Sequence, residues 1–119
     1  MPQVRIDMHR SLEPMMGEMS KAILRGMVRG FGMDVDDLFQ IFRLHDKGEL
    51  VFSKTFPNQA RDDIIFIELL AQHGYPDEIK QQAMAAIVAE LSNLGLRQDN
   101  VLQVIVEVHG QAWFAPEPA

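Results

Sequence analysis

Gly32-Met33-Asp34-Val35-Asp36-Asp37-Leu38-Phe39-Gln40-Ile41-Phe42 returns 63 positions later as Gly95-Leu96-Arg97-Gln98-Asp99-Asn100-Val101-Leu102-Gln103-Val104-Ile105. Glycine, aspartate and glutamine coincide at three positions, and apolar residues match around them. At the same offset Val4 falls on Ile67 and Ile6 on Leu69. A repeat of this length is read as a duplicated supersecondary unit, and the pattern within each copy is strand, helix, strand.

Working outward, Pro2 to Met8, Leu38 to Leu44, Ile64 to Leu70 and Val101 to Val108 are rich in branched and aromatic residues and read as strands. Between them, Leu12, Met16, Met19, Ile23 and Met27 recur at three- and four-residue steps, with Ser11 as expected N-cap, Pro14 in the first turn and Gly32 as terminator. Pro76 opens the second helix at or near its first position. Its stripe is Ile79, Ala83, Ile87, Leu91 and Leu94, and Gly95 closes it. The methionines are read as core filler. Asp46-Lys47-Gly48-Glu49 predicts a turn into a short strand, Leu50-Val51-Phe52, with an irregular stretch from Ser53 to Ala60.

The expected fold is therefore α+β: a single domain over residues 1–119, with repeat units of roughly 2–45 and 64–109. A four-stranded sheet carries two helices on one face, because right-handed crossovers place both helices on the same side. Val4, Ile6, Phe39, Ile41, Ile65, Ile67, Leu102 and Val104 exceed what two helices can cover, so the other face is expected to bury itself against further subunits.

Composition narrows the function. The chain has 119 residues, 47% of them hydrophobic, with a net charge of −6 and 11 basic residues that form no run, which argues against a nucleic-acid binder. It has no cysteine, so disulfides and thiolate metal sites are excluded, and a reducing cytoplasm fits. No apolar stretch reaches membrane-span length, and no signal-peptide core is visible at the N-terminus, so no membrane partner is expected. His9, His45, His73 and His109 lack a ligand spacing, and no metal site is predicted.

Pro2 carries the chemical signal. Removal of Met1 would leave a free secondary amine, whereas an internal proline nitrogen is an amide without basicity. An α-amino group titrates at about pH 7.7 to 8.0 before its surroundings act on it, a range suited to acid or base work. The alternative is that proline is simply tolerated at the start of a strand.

The proline after Met1, the doubled β-α-β unit and the strings Gly32 to Gln40, Asp46-Lys47-Gly48-Glu49-Leu50, Arg61-Asp62-Asp63-Ile64-Ile65-Phe66-Ile67 and Ala112-Trp113 together resemble the tautomerase superfamily, in the branch containing malonate semialdehyde decarboxylase. The resemblance runs from Pro2 to about Trp113. It implies a homotrimer, no cofactor and catalysis by Pro2 with Asp37, and it puts an arginine near Arg61, with Trp113 as a candidate pocket wall. The sequence departs from the family where Ala60-Arg61-Asp62-Asp63 lacks a serine and where Leu38 follows Asp37.

A small oxo acid needs a cation for its carboxylate and a proton carrier for its carbonyl or enol. Arg61 would supply the first and Pro2 the second; Arg5, Arg43 and His73 are substitutes for the cation. Read without the resemblance, Asp37 is part of a solvated connection, Arg61 a loop residue and Trp113 a packing residue. Three functions stay open. The chain is a tautomerase acting on a small 2-oxo acid, a cofactor-free decarboxylase or hydratase of a 3-oxo acid such as malonate semialdehyde, or a catalytically silent trimeric binding protein.

Overall fold

Strict alternation in Gln3-Val4-Arg5-Ile6-Asp7-Met8-His9 makes strand β1 (Gln3–His9), in which Val4, Ile6 and Met8 are buried and their neighbours half-buried. A computed structural model describes residues 2–118; the predicted removal of Met1 lies outside the described residues. After β1 come helix α1 (Met16–Phe31), β2 (Gln40–His45), β3 (Ile65–Gln72), α2 (Asp77–Ser92) and β4 (Val101–Val108).

The sheet order is β2-β1-β3-β4, with β1 parallel to β2, β3 parallel to β4, and the two central strands antiparallel. Each β-α-β unit thus forms one half of the sheet, and the halves meet along β1 and β3. Gly32 (φ +69°) and Gly95 (φ +90°) follow the two helices with left-handed or otherwise positive backbone angles, which explains the glycine at the start of each copy of the repeat.

The core lies between the helices and one face of the sheet. Met19, Ile23 and Met27 of α1 and Ala83, Ile87 and Leu91 of α2 are buried with Val4, Ile6, Met8, Ile65, Ile67 and Leu69. The helices approach closely because α1 presents glycine where they meet. A Cβ on Gly26 would lie 2.7 Å from the Ile87 Cα, and one on Gly30 would lie 2.3 Å from the Ala83 Cα. Across this contact, Arg25 Nε and Arg29 Nη1 pair with Glu90 at 2.6 and 3.2 Å.

Two local expectations are corrected, at Ser11 and at Leu50-Val51-Phe52. Ser11 does not cap α1: residues Arg10–Met15, Pro14 among them, form a 3-10 turn, and α1 starts after Met15 without a side-chain cap. Pro76, expected at or near the first position of α2, stands next to it as the N-cap. Leu50-Val51-Phe52 is not a strand; the chain from Gly48 to Ile64 stays irregular.

The apolar residues assigned to one open face divide between two. Val4, Ile6, Ile65 and Ile67 lie under the helices, since successive strand side chains alternate. The open face carries Ile41 (42% exposed), Leu102 (48%), Val104 (52%) and Val106 (40%), interspersed with Arg5, Asp7, Arg43 and Glu68.

Candidate active site

Pro2 is buried immediately ahead of β1. Extending the β1–β3 register beyond the Gln3–Leu70 pair sets it opposite Ala71, and a strand-leading proline leaves no ladder hydrogen bond unmade. Next to it the chain returns from α1 to β2. Val4 N–H donates to the Phe39 carbonyl at 2.9 Å, which fastens the loop before β2 to the start of β1.

Within that loop Asp34 organises a tight turn. Its side chain accepts from Asp36 N–H at 2.8 Å, and its carbonyl accepts from Asp37 N–H at 3.1 Å. Asp37 is half-buried and, two residues before Phe39, stands at the Pro2 end of the sheet.

β3 and β4 finish at this same end. Their ladder closes with Gln72 opposite Val108, and His73 N–H donates to the Val108 carbonyl at 2.8 Å. A turn over Gly110–Ala112 then delivers Trp113, whose indole Nε1 is enclosed with no acceptor among the described residues. A buried donor left in this way is costly unless a ligand or another chain supplies the acceptor.

Arg61 lies elsewhere. It precedes β3, which runs antiparallel to β1, so within one chain it sits at the opposite end of the sheet from Pro2, about 20 Å away by strand length. Its Nη1 donates to the carbonyls of Ser53 at 2.9 Å and Phe56 at 2.6 Å, and its backbone N–H donates to Lys54 at 2.9 Å. The guanidinium therefore clamps its own loop. Pro2, the loop carrying Asp37 and the turn that leads to Trp113 thus stand at one end of the sheet, and Arg61 precedes β3 at the other.

The Pro2 end also holds a cluster of His73, His109, Lys80 and Glu107, of which the sequence marks only His73, as a substitute cation. The rings of His73 and His109 lie 5.0 Å apart, and His73 Nδ1 is 2.8 Å from Glu107 Oε2. Lys80 pairs with the other oxygen of Glu107, and it and then His73 hold that carboxyl below the usual range. His109 becomes visible as a neighbour of His73 only when β3 and β4 are laid side by side. Among the described residues no group of three or more His, Cys, Asp or Glu could hold a metal ion, and no helix is long and apolar enough to cross a membrane.

A family model for tautomerase enzymes matches residues 37–114. The chain belongs to the tautomerase family. Among curated proteins, this tautomerase-family chain is 24% identical over 116 residues to the probable tautomerase YusQ of Bacillus subtilis strain 168, covering 95% of the chain and 91% of that relative. In fold it is similar to FG41 malonate semialdehyde decarboxylase inhibited by 3-bromopropiolate, with a TM-score of 0.90, 23% identity, and coverage of 98% of this chain and 91% of the other. A second malonate semialdehyde decarboxylase structure, described as a basis for decarboxylase and hydratase activities, gives a TM-score of 0.87 at 18% identity, with coverage of 98% and 92%. The four-stranded sheet with two helices is thus the fold of this family.

Proposed function

We propose that this tautomerase-family enzyme uses the nitrogen of Pro2, freed by removal of Met1, to move a proton in the keto-enol tautomerisation of a small 2-oxo acid. The observation that carries the reading is the burial of Pro2 at the head of β1, with the Asp34–Asp37 turn fastened beside it. Burial disfavours the charged amine and so favours a base; a neighbouring carboxylate works in the other direction. As a base, Pro2 would take a proton from the carbon beside the ketone and return it to the other end of the enol system. Asp37 would orient the substrate, and Trp113 would wall the pocket while its indole N–H donates to a substrate oxygen.

Arg61 enters this reading only across a subunit boundary, serving the Pro2 of a neighbouring chain in a homotrimer that covers the open sheet face. Exposed Ile41, Leu102, Val104 and Val106 support such an assembly.

A second reading is favoured by the likeness in fold to malonate semialdehyde decarboxylase. Here a protonated Pro2 would polarise the carbonyl of a 3-oxo acid as carbon dioxide departs.

Turnover of phenylpyruvate enol and of malonate semialdehyde, each with Pro2→Ala beside the parent, tests both readings. Loss of at least about a hundredfold in turnover is expected on one substrate. Full activity of Pro2→Ala, or a purified protein that retains Met1 and still turns over, would sink the assignment.

A further inference from the structure

At the other end of β1 and β2, His9, Arg10, Ser11, His45, Lys47 and Asp63 border an open cavity of about 380 Å³, with Phe52 forming an apolar part of its wall. That volume lies within the range of small-ligand sites. The β1–β2 register sets His9 opposite His45. Each imidazole is braced by one carboxylate: His9 Nδ1 lies 2.6 Å from Asp63 Oδ1, and His45 Nε2 lies 2.7 Å from Asp7 Oδ1.

Those carboxylates are themselves fixed. Asp63 Oδ1 also accepts from Ile64 N–H at 2.8 Å, and Asp7 receives Arg43 through two bonds of 2.9 and 2.8 Å. With one nitrogen of each ring committed, His9 Nε2 and His45 Nδ1 remain, and neither has a partner among the described residues. The bond made by one ring nitrogen sets what the other can do.

The remaining charges in the cavity decide what it would accept. Its carboxylates are already engaged: Asp46 accepts from Arg10 Nε at 3.0 Å, Asp62 accepts from Asn100 Nδ2 at 2.8 Å and faces Arg97 at 3.4 Å, and Asp63 holds His9. The groups with no partner among the described residues are donors, namely the Lys47 ammonium and the Ser11 hydroxyl. An imidazole that carries both protons donates from each ring nitrogen, so with the other nitrogen held by its carboxylate, His9 Nε2 and His45 Nδ1 would add donors to these two.

We propose that this cavity binds a small organic carboxylate, held by Lys47, Ser11 and the two braced imidazoles with its apolar part against Phe52, and that His9 and His45 take up protons as it binds.

Benzoate is the probe. The full-length protein is titrated with it at about pH 6 to 8 while the imidazole nitrogen resonances are followed, and binding heats are compared in two buffers of different ionisation enthalpy. Saturable shifts are expected at His9 and His45 and not at His73 or His109, with affinity rising as pH falls and a net uptake of protons. Lys47→Met, on an exposed turn, should weaken binding by about tenfold, the loss expected for one charged hydrogen bond. The His9→Gln/His45→Gln double variant should abolish proton uptake. Pro2→Ala should leave every one of these readings unchanged, which separates failure here from failure of the proton-transfer assignment. Absence of a saturable shift, indifference to Lys47→Met, or inorganic phosphate binding as tightly as benzoate would overturn the proposal.

Discussion

Asp7 on β1 and Arg43 on β2 stand 36 positions apart and meet through two parallel hydrogen bonds, Nε at 2.9 Å and Nη2 at 2.8 Å, on the face of the sheet away from the helices. Partial burial alone would raise the Asp7 pKa, but Arg43 and His45 outweigh it and hold the carboxyl below its ordinary value. A depressed carboxylate adds stability that is complete above its unfolded pKa of about 3.9 and disappears as pH falls through the folded value. Asp7→Asn should therefore cost on the order of 1 kcal/mol at neutral pH, since the pair is partly exposed. The difference from the parent should shrink toward zero in acid strong enough to pass below the folded value. Urea midpoints at the two pH values check this, and a difference that does not change with pH would rule it out.

Gly30 permits the closest approach in the helix pair. Gly30→Ala gains about 1 kcal/mol in helix propensity, but its new methyl would sit 2.3 Å from the Ala83 backbone. Separating the helices to relieve this should cost more than the gain, for a net loss of about 1–3 kcal/mol. Gly17→Ala, with nothing within 4 Å of the new carbon, should be neutral or stabilising in the same thermal scan.

Arg61 supplies a test of shared sites. In the proposed homotrimer, assemblies reconstituted from Pro2→Ala and Arg61→Ala chains would regain sites with both native residues only if the two come from different subunits. Recovery of activity in the mixture is the expected outcome. Inactive mixtures of chains that each still assemble would confine Arg61 to holding Ser53 and Phe56 in place.

Trp113→Phe separates packing from recognition. Removing an enclosed N–H that has no acceptor among the described residues should leave the stability of the free protein unchanged or raised by up to about 1 kcal/mol. If a substrate oxygen accepts from that N–H, the same variant raises KM while kcat changes little. A variant that unfolds more readily but keeps its KM would point to a structural partner instead.

Strands and helices were legible because each has one buried face, and the periods of two and three to four residues survive in Val4-Ile6-Met8 and in Met19-Ile23-Met27. Leu50-Val51-Phe52 was misread because three apolar residues after a turn resemble a strand, yet the segment pairs with neither edge of the sheet, β2 or β4. The open face was overfilled for a related reason, since composition shows how apolar a strand is but only register shows which side each residue takes. For the site, Asp37 stood out only through the family resemblance, and the residues before β2 come to adjoin the start of β1 only once the Val4–Phe39 hydrogen bond is seen. Arg61 could not be placed, because its end of the sheet depends on β3 running against β1, and that pairing is set by contacts between the two halves rather than by any local motif.

The doubled β-α-β architecture leaves the long connection between Asp46 and Ile64 as the sole covalent tie between halves that otherwise touch along β1 and β3 and through the helix pair. Severing that tie would yield two pieces, each with a full hydrophobic underside and a naked central strand as a template for the other. The molecule is thus suited to act as a split reporter whose fragments recombine without a tether.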